Sequence, residues 1–170
     1  MDIREIIENR GGPKMREHIV RLAAGCVFLW IAAVPDIRSK KILVWIPALF
    51  AAAALAVNLF LPTCIGKREL WAGALPGAFL LLLCCLFRGQ LGEGDGICLM
   101  VSGLLTGLAP AVVLTEAALV LAAAAGVLCI CTKHKRAGDR IAFIPFLASA
   151  QTLILAAEMV KEARIFDMVE

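Results

Sequence analysis

Two aspartates stand at the edges of apolar segments, where their carboxylates can do chemistry at a membrane surface. Asp95 lies in the glycine-rich segment 92–96 (Gly-Glu-Gly-Asp-Gly), and an apolar run begins two residues later at Ile97. Asp36 directly follows the apolar run 22–35. A carboxylate in or near lipid is energetically costly, so an acidic residue at such a position is a candidate functional residue.

A pair of carboxylates can hydrolyse a peptide bond without a metal, a cofactor or a nucleophilic side chain. Two close carboxylates do not both ionise easily, so one keeps a proton while the other is charged. The ionised carboxylate takes a proton from water as the water attacks the carbonyl carbon, and the protonated one hydrogen-bonds the carbonyl oxygen and later protonates the leaving nitrogen. The alternative for Asp36 or Asp95 taken singly is an ordinary loop or helix N-cap residue.

The glycines around Asp95 suit the approach of an extended substrate. Gly92, Gly94 and Gly96 allow the backbone to take positive φ angles and leave space beside the carboxylate. We therefore predict that these three residues shape the loop or contact the substrate.

The composition predicts an all-α polytopic membrane protein. Of the 170 residues, 61% are hydrophobic and only 18% are charged, with a mean hydropathy of +0.88. These values exclude an ordinary soluble domain, and the net charge of +3 is too small to suggest nucleic-acid binding. No cleavable signal peptide is expected. The seven cysteines contain no CxxC pair, so we expect packing cysteines and no metal site.

Six apolar segments are predicted to cross the membrane, of which the first three are close to the ~20 residues that cross a bilayer and the two within 97–131 are short. We predict an N-terminal tail or interfacial helix over 1–18, a six-span membrane domain over 19–162 and a C-terminal tail over 163–170. Arg21 is expected to snorkel to the near interface. The run 97–131 is long enough for two spans, with the turn at 107–110 favoured over 115–116 because Gly107 and Pro110 punctuate it. The predicted spans are 19–35, 42–61, 70–87, the two halves of 97–131, and 141–160.

Six spans place both aspartates on one side of the membrane. Asp36 falls in loop 1–2 and Asp95 in loop 3–4, and these loops share a side with loop 5–6. The positive-inside rule predicts that this side is cytoplasmic, although basic residues of the N-terminal tail oppose that orientation. The opposite loops contain only Lys67 and Arg68 as basic residues. The three loops on the aspartate side contain eight basic residues: Arg38, Lys40, Lys41, Arg88, Lys133, Lys135, Arg136 and Arg140.

Three motifs resemble one family in the right order. Gly-Glu-Gly-Asp at 92–95 resembles the GxGD signature of intramembrane aspartic peptidases, and within that group the chain is similar to the type IV prepilin peptidases. Asp36-Ile37-Arg38 resembles the first aspartate motif of that family. The stretch 141–148, which contains Pro145-Phe146-Leu147-Ala148, resembles the segment that opens its last helix.

The resemblance implies a multi-pass peptidase of the plasma (inner) membrane with Asp36 and Asp95 as its catalytic pair. Its substrates would be prepilins or pilin-like proteins, cleaved between a short basic leader and a hydrophobic helix, and its other partner would be the lipid bilayer. No cofactor and no metal are implied. The same match makes Arg38 and Pro145 candidates for substrate binding or loop shaping.

The chain also departs from the family pattern. Leu43 and Val44 stand where the family usually has Pro-Asn, and Ile97 stands where it commonly has lysine. Larger members carry a cytoplasmic domain with paired CxxC motifs for N-methylation, and this sequence has none. We therefore predict cleavage without methyl transfer.

Two alternatives belong to other classes of protein. Asp36 and Asp95 would bind a cation or relay protons in a small transporter subunit, but no internal repeat supports this. In a catalytically inactive assembly factor, the peptidase fold would remain without its chemistry. The isoleucine at position 97 keeps this alternative open, whereas the retention of both aspartates and of three glycines around Asp95 argues against it.

Overall fold

A computed structural model describes residues 13–39, 45–60, 63, 65–86, 92–131 and 143–167. Within these residues the regular structure is entirely helical, which confirms the predicted all-α class. The helices are α1 (Pro13–Ser39), α2 (Trp45–Phe60), α3 (Lys67–Ala72), α4 (Leu75–Leu86), α5 (Glu93–Thr106), α6 (Leu108–Cys131) and α7 (Ile144–Asp167).

The helices have the lengths and composition of a polytopic membrane protein. In the described part of the chain, four segments are long and apolar enough to cross a bilayer: Met15–Asp36, Lys67–Leu86, Leu108–Leu128 and Ile144–Arg164. The second of these joins α3 and α4. Helix α2 is a shorter apolar helix, and α5 has 14 residues, or about 21 Å at 1.5 Å per residue.

The predicted turn between the two halves of the segment 97–131 is confirmed. Helix α5 ends at Thr106, and Gly107 has a φ of 96°, which a residue with a side chain rarely adopts. Helix α6 then begins at Leu108 and runs through Thr115 and Glu116, so the alternative turn does not form. Both outer helices exceed their predicted spans, since α1 begins at Pro13 and α7 continues to Asp167.

Helix α5 is the centre of the bundle. It contacts each of the other six described helices, and all its residues from Val101 to Thr106 are buried. Around it, α2 packs on α1, α1 on α7, α7 on α6, and α6 on α4. The first turn of α5, which contains Asp95, therefore lies at one end of a helix that is surrounded by its neighbours.

Glycines let α5 approach its neighbours closely. A Cβ atom added to Gly73 would lie 2.1 Å from the carbonyl oxygen of Gly103, and one added to Gly77 would lie 2.2 Å from the backbone nitrogen of Met100. The backbones therefore touch where a side chain would keep them apart. Gly73, Gly77 and Gly103 therefore serve helix packing.

The expectation that Arg21 snorkels to the interface is wrong. Its side chain is buried and donates to Glu17, to Oδ1 of Asn58 (3.0 Å) and to the carbonyl oxygen of Leu105 (3.3 Å). Asn58 in turn donates to the carbonyl oxygen of Leu104 at 2.8 Å. These bonds satisfy carbonyl groups in the last turn of α5, which have no partner within the helix. The guanidinium is retained inside because the end of α5 supplies acceptors for it.

Candidate functional site

Asp36 lies in the last turn of α1 and its side chain is buried. Its predicted position in a loop is wrong, because the helix continues through Pro35 to Ser39. A proline within a helical pattern suggests a helix end, but here the following residues remain helical. Asp36 is thus carried by a helix that packs extensively on α7.

The start of α7 supplies a hydrogen-bond donor to Asp36. The backbone N–H of Ile144, the first residue of α7, donates to the Asp36 carboxylate. Pro145 has no N–H, and the N–H groups of Phe146 and Leu147 donate to the carbonyl oxygen of Phe143. The motif at 141–148, which was predicted to open the last helix, does lie at the start of the last described helix. The N-terminal end of that helix is directed at the Asp36 carboxylate, and a negative charge is favoured at this end of a helix. Oδ2 of Asp36 is buried without a partner among the described residues.

Asp95 lies in the first turn of α5 rather than in the predicted loop. Gly92 is the N-cap residue, and its carbonyl oxygen accepts the N–H of Asp95 at 3.1 Å. Acidic side chains are favoured in the first turn of a helix because they face the positive end of its dipole. Glu93 and Asp95 both stand there, and Asp95 precedes the apolar part of the helix, which begins at Ile97.

The structure brings the two predicted aspartates together. Burial of the side chain, and then the negative charge of Asp36, raises the pKa of Asp95 to about 7. The two carboxylates are therefore within electrostatic range of each other. A pair in which one member holds a proton near neutral pH has the acid and the base that peptide hydrolysis requires.

Gly92 leaves the space that the Asp95 carboxylate occupies. A Cβ atom at Gly92 would lie 2.6 Å from Oδ2 of Asp95, although φ of −79° and ψ of 116° suit any residue. We predict that Gly92→Ala keeps the fold but displaces the carboxylate and lowers the rate of any reaction of the pair by about 100-fold. Kinetics together with a melting curve would test this, with Gly66→Ala as the control because nothing lies within 4 Å of its added Cβ. Full activity of Gly92→Ala would contradict the assignment of Asp95.

The other predicted site residues have different outcomes. Gly94 lies within α5, and its proposed contact with a substrate stays a prediction. Gly96 is buried, and a Cβ there would meet Cγ of Leu81 at 2.8 Å, so it packs α5 on α4 rather than shaping a loop. The side chain of Arg38 and the residues 87–91 and 132–142 lie outside the described residues. No group of three or more His, Cys, Asp or Glu side chains in the described ranges could hold a metal ion.

Two thiols near the carboxylates were interpreted from the sequence only as packing residues. Cys98 is buried one helical turn after Asp95 and lies within electrostatic range of both aspartates. Cys84, in α4, donates from its thiol to the carbonyl oxygen of Gly92 at 3.7 Å. The spacing of three residues between Asp95 and Cys98 was the available signal, since such residues share a helix face. No sequence pattern indicated that the N–H of Ile144 would be a donor at the site, because every residue except proline has a backbone N–H.

The family model described as the type IV leader peptidase family matches residues 23–130. This match covers well over half of the chain and includes both aspartates. The chain belongs to the type IV leader peptidase family. Comparisons with curated proteins and with solved structures find no match.

Membership of the type IV leader peptidase family agrees with the geometry of the site. The matched region runs from α1 to the end of α6 and contains the Asp36 and Asp95 motifs on which the resemblance was based. Helix α7, which supplies the Ile144 donor, follows the matched region.

Proposed function

We propose that this protein is a membrane aspartic endopeptidase that removes the leader peptide of type IV prepilins or pilin-like proteins. Asp36 and Asp95 are its catalytic pair, and they act at the cytoplasmic face of the plasma membrane. Cleavage proceeds without N-methylation. The observation that supports this most directly is the electrostatic coupling of a buried Asp36 with Asp95 across α1 and α5.

The geometry suggests how each part of the site contributes to hydrolysis. The pair shares one proton, and its ionised member accepts a proton from the attacking water. The protonated member gives its proton to the scissile carbonyl oxygen as the water adds. When the C–N bond breaks, the member that took the proton from water passes it to the leaving nitrogen, and a hydroxyl of the tetrahedral intermediate returns a proton to the other member, so the pair again shares one proton. The Ile144 N–H fixes the Asp36 carboxylate, which leaves Oδ2 of the same group to bind water or substrate. The two groups titrate as a unit.

Two finer features of the proposal come from the sequence. The cytoplasmic orientation is supported by the basic residues of the loops on the aspartate side. The lack of methyl transfer is supported by the absence of a CxxC pair in the 170 residues.

Leader removal from a co-expressed pilin-like protein tests the proposal. The expected product lacks the leader, as sized on a gel, and its new N-terminus carries no added methyl group by mass spectrometry. Cation flux into proteoliposomes with no cut peptide would instead favour the transporter class. A methylated product would contradict the second part of the proposal alone.

The raised pKa of Asp95 predicts a limit to activity at alkaline pH. The protonated form of Asp95 persists up to about pH 7, so the singly protonated pair is present below that pH and is lost as pH rises through it. We expect kcat/KM to fall by about tenfold per pH unit above this limit. A kcat/KM profile from about pH 5 to about pH 9 on a peptide without titrating groups would show it. Constant activity up to about pH 9 would contradict the requirement for a proton on the pair.

A further inference from the structure

Beyond its first turn, helix α5 is buried except along one stripe. Its partly exposed residues there are Ile97 and Met100, and these continue the line of the exposed Glu93. Spacings of four and three residues place Glu93, Ile97, Met100 and Leu104 on one face of the helix. The stripe begins beside Asp95 and runs about 16 Å along the helix, to the buried Leu104.

The stripe faces a break in the bundle. Five helices surround α5 in the order α2, α1, α7, α6 and α4, but in the described part of the chain α2 and α4 do not pack on each other to a comparable extent. Leu104 packs with Ala54 of α2 and with Ala74, which directly precedes α4. Gly77 of α4 lies against Met100. The stripe is therefore flanked by α2 on one side and α4 on the other, and Leu104 is where the two sides approach.

We infer that this groove between α2 and α4, with Ile97 and Met100 as its floor, binds the hydrophobic helix of the substrate. The inference rests on the proposed function and adds the place where the substrate lies. The end of the helix next to the scissile bond is at Asp95, and the rest descends into the bilayer along α5.

The character of the groove changes along its length in the way that such a substrate requires. Its floor is apolar, whereas its outer end carries the exposed carboxylate of Glu93 in the same helical turn as Asp95. A basic leader is attracted to that carboxylate, and the apolar segment after it avoids water by lying on Ile97 and Met100. A lipid chain would match the floor, but a neutral or anionic headgroup would gain nothing from Glu93. The charge at the groove mouth thus favours a peptide with a basic end.

Photocrosslinking tests the location of the substrate. Met100 is replaced by photoreactive benzoylphenylalanine in the full chain carrying Asp95→Asn, and the matched control places the same group at Val120, which is 68% exposed on α6. The probe is a single-span peptide with a lysine-containing leader, in phosphatidylcholine vesicles. We expect a peptide adduct from position 100 and none from position 120. Adducts with lipid alone at position 100, or equal peptide adducts at both positions, would overturn the inference.

Kinetics separate the groove from the catalytic pair. Met100→Trp fills the groove and is expected to lower cleavage of the helix-containing substrate by at least about tenfold, while Val120→Trp is expected to leave it unchanged. A short peptide that spans the scissile bond but lacks the helix should be cut equally by the parent and by Met100→Trp, which also shows that the variant folds. An equal loss of cleavage with both substrates would overturn the inference that the groove binds the substrate helix. If the parent cuts neither substrate, the proposed function fails, whereas the crosslink still reports on binding.

A charge reversal tests the mouth of the groove. Glu93→Lys is expected to raise KM for a lysine-containing leader by about fivefold and to lower it for the same leader carrying glutamates. Equal changes for both leaders would contradict the role of the Glu93 charge.

Discussion

Replacing Asp95 with asparagine is expected to abolish leader cleavage, with a loss of roughly 1000-fold or more. Asparagine has nearly the same shape but cannot exchange a proton, so the pair loses either its acid or its base. Asp36→Asn should have an effect of the same size, because the two carboxylates work as one unit. Cleavage of a co-expressed pilin-like protein, sized on a gel, measures both variants.

The control for these variants is Glu116→Gln, which makes the same change of acid to amide at an exposed position of α6. It should cleave like the parent. Melting curves of the two aspartate variants should match or exceed that of the parent, because removing one carboxylate relieves the burial and repulsion that raise the pKa of Asp95. Cleavage by Asp95→Asn at the parental rate would refute the catalytic pair.

The second large effect is expected at the contact between Gly73 and α5. In Gly73→Ala, the new Cβ would lie 2.1 Å from the carbonyl oxygen of Gly103 and 2.8 Å from the carbonyl carbon of Gly107. These are backbone atoms, so they cannot swing aside, and the helices must separate. We expect a destabilisation at or above the upper end of the roughly 1–3 kcal/mol that overpacking usually costs, seen as a lower melting temperature in detergent and a lower yield from membranes.

Gly66→Ala provides the matched comparison, since the same methyl group meets nothing within 4 Å. Gly73 has a φ of −57°, so the backbone of alanine is compatible there and the effect is purely steric. A Gly73→Ala protein with the parental melting temperature would show that α5 is not packed as described.

The sequence was sufficient for the pairing of the aspartates because membrane topology restricts where loops can meet. Counting apolar segments placed Asp36 and Asp95 on one side, and the structure brings them into electrostatic range. The turn at Gly107 was also predictable, since it combines a residue tolerant of positive φ with a nearby proline. Both predictions rest on constraints that act locally or through the bilayer.

Other features of the site depend on tertiary packing and escaped prediction. Pro35 suggested that α1 ended before Asp36, yet the helix continues because packing on α7 stabilises it. The donor to Asp36 is a backbone N–H more than a hundred positions away along the chain, at Ile144. Buried Arg21 was misread for the same reason, because its acceptors lie at the end of another helix.

The dependence of Asp36 on the last helix has a consequence for biogenesis. A membrane protein is synthesised from its N-terminus, so α1 and α5 exist before α7 has emerged. During that interval Asp36 lacks the Ile144 donor and the neighbour on which α1 packs most extensively. The nascent chain therefore carries both carboxylates without a finished site. If the pair is catalytic as proposed, proteolytic competence arrives only with complete insertion, and synthesis that stops before α7 is expected to leave an inert fragment in the membrane.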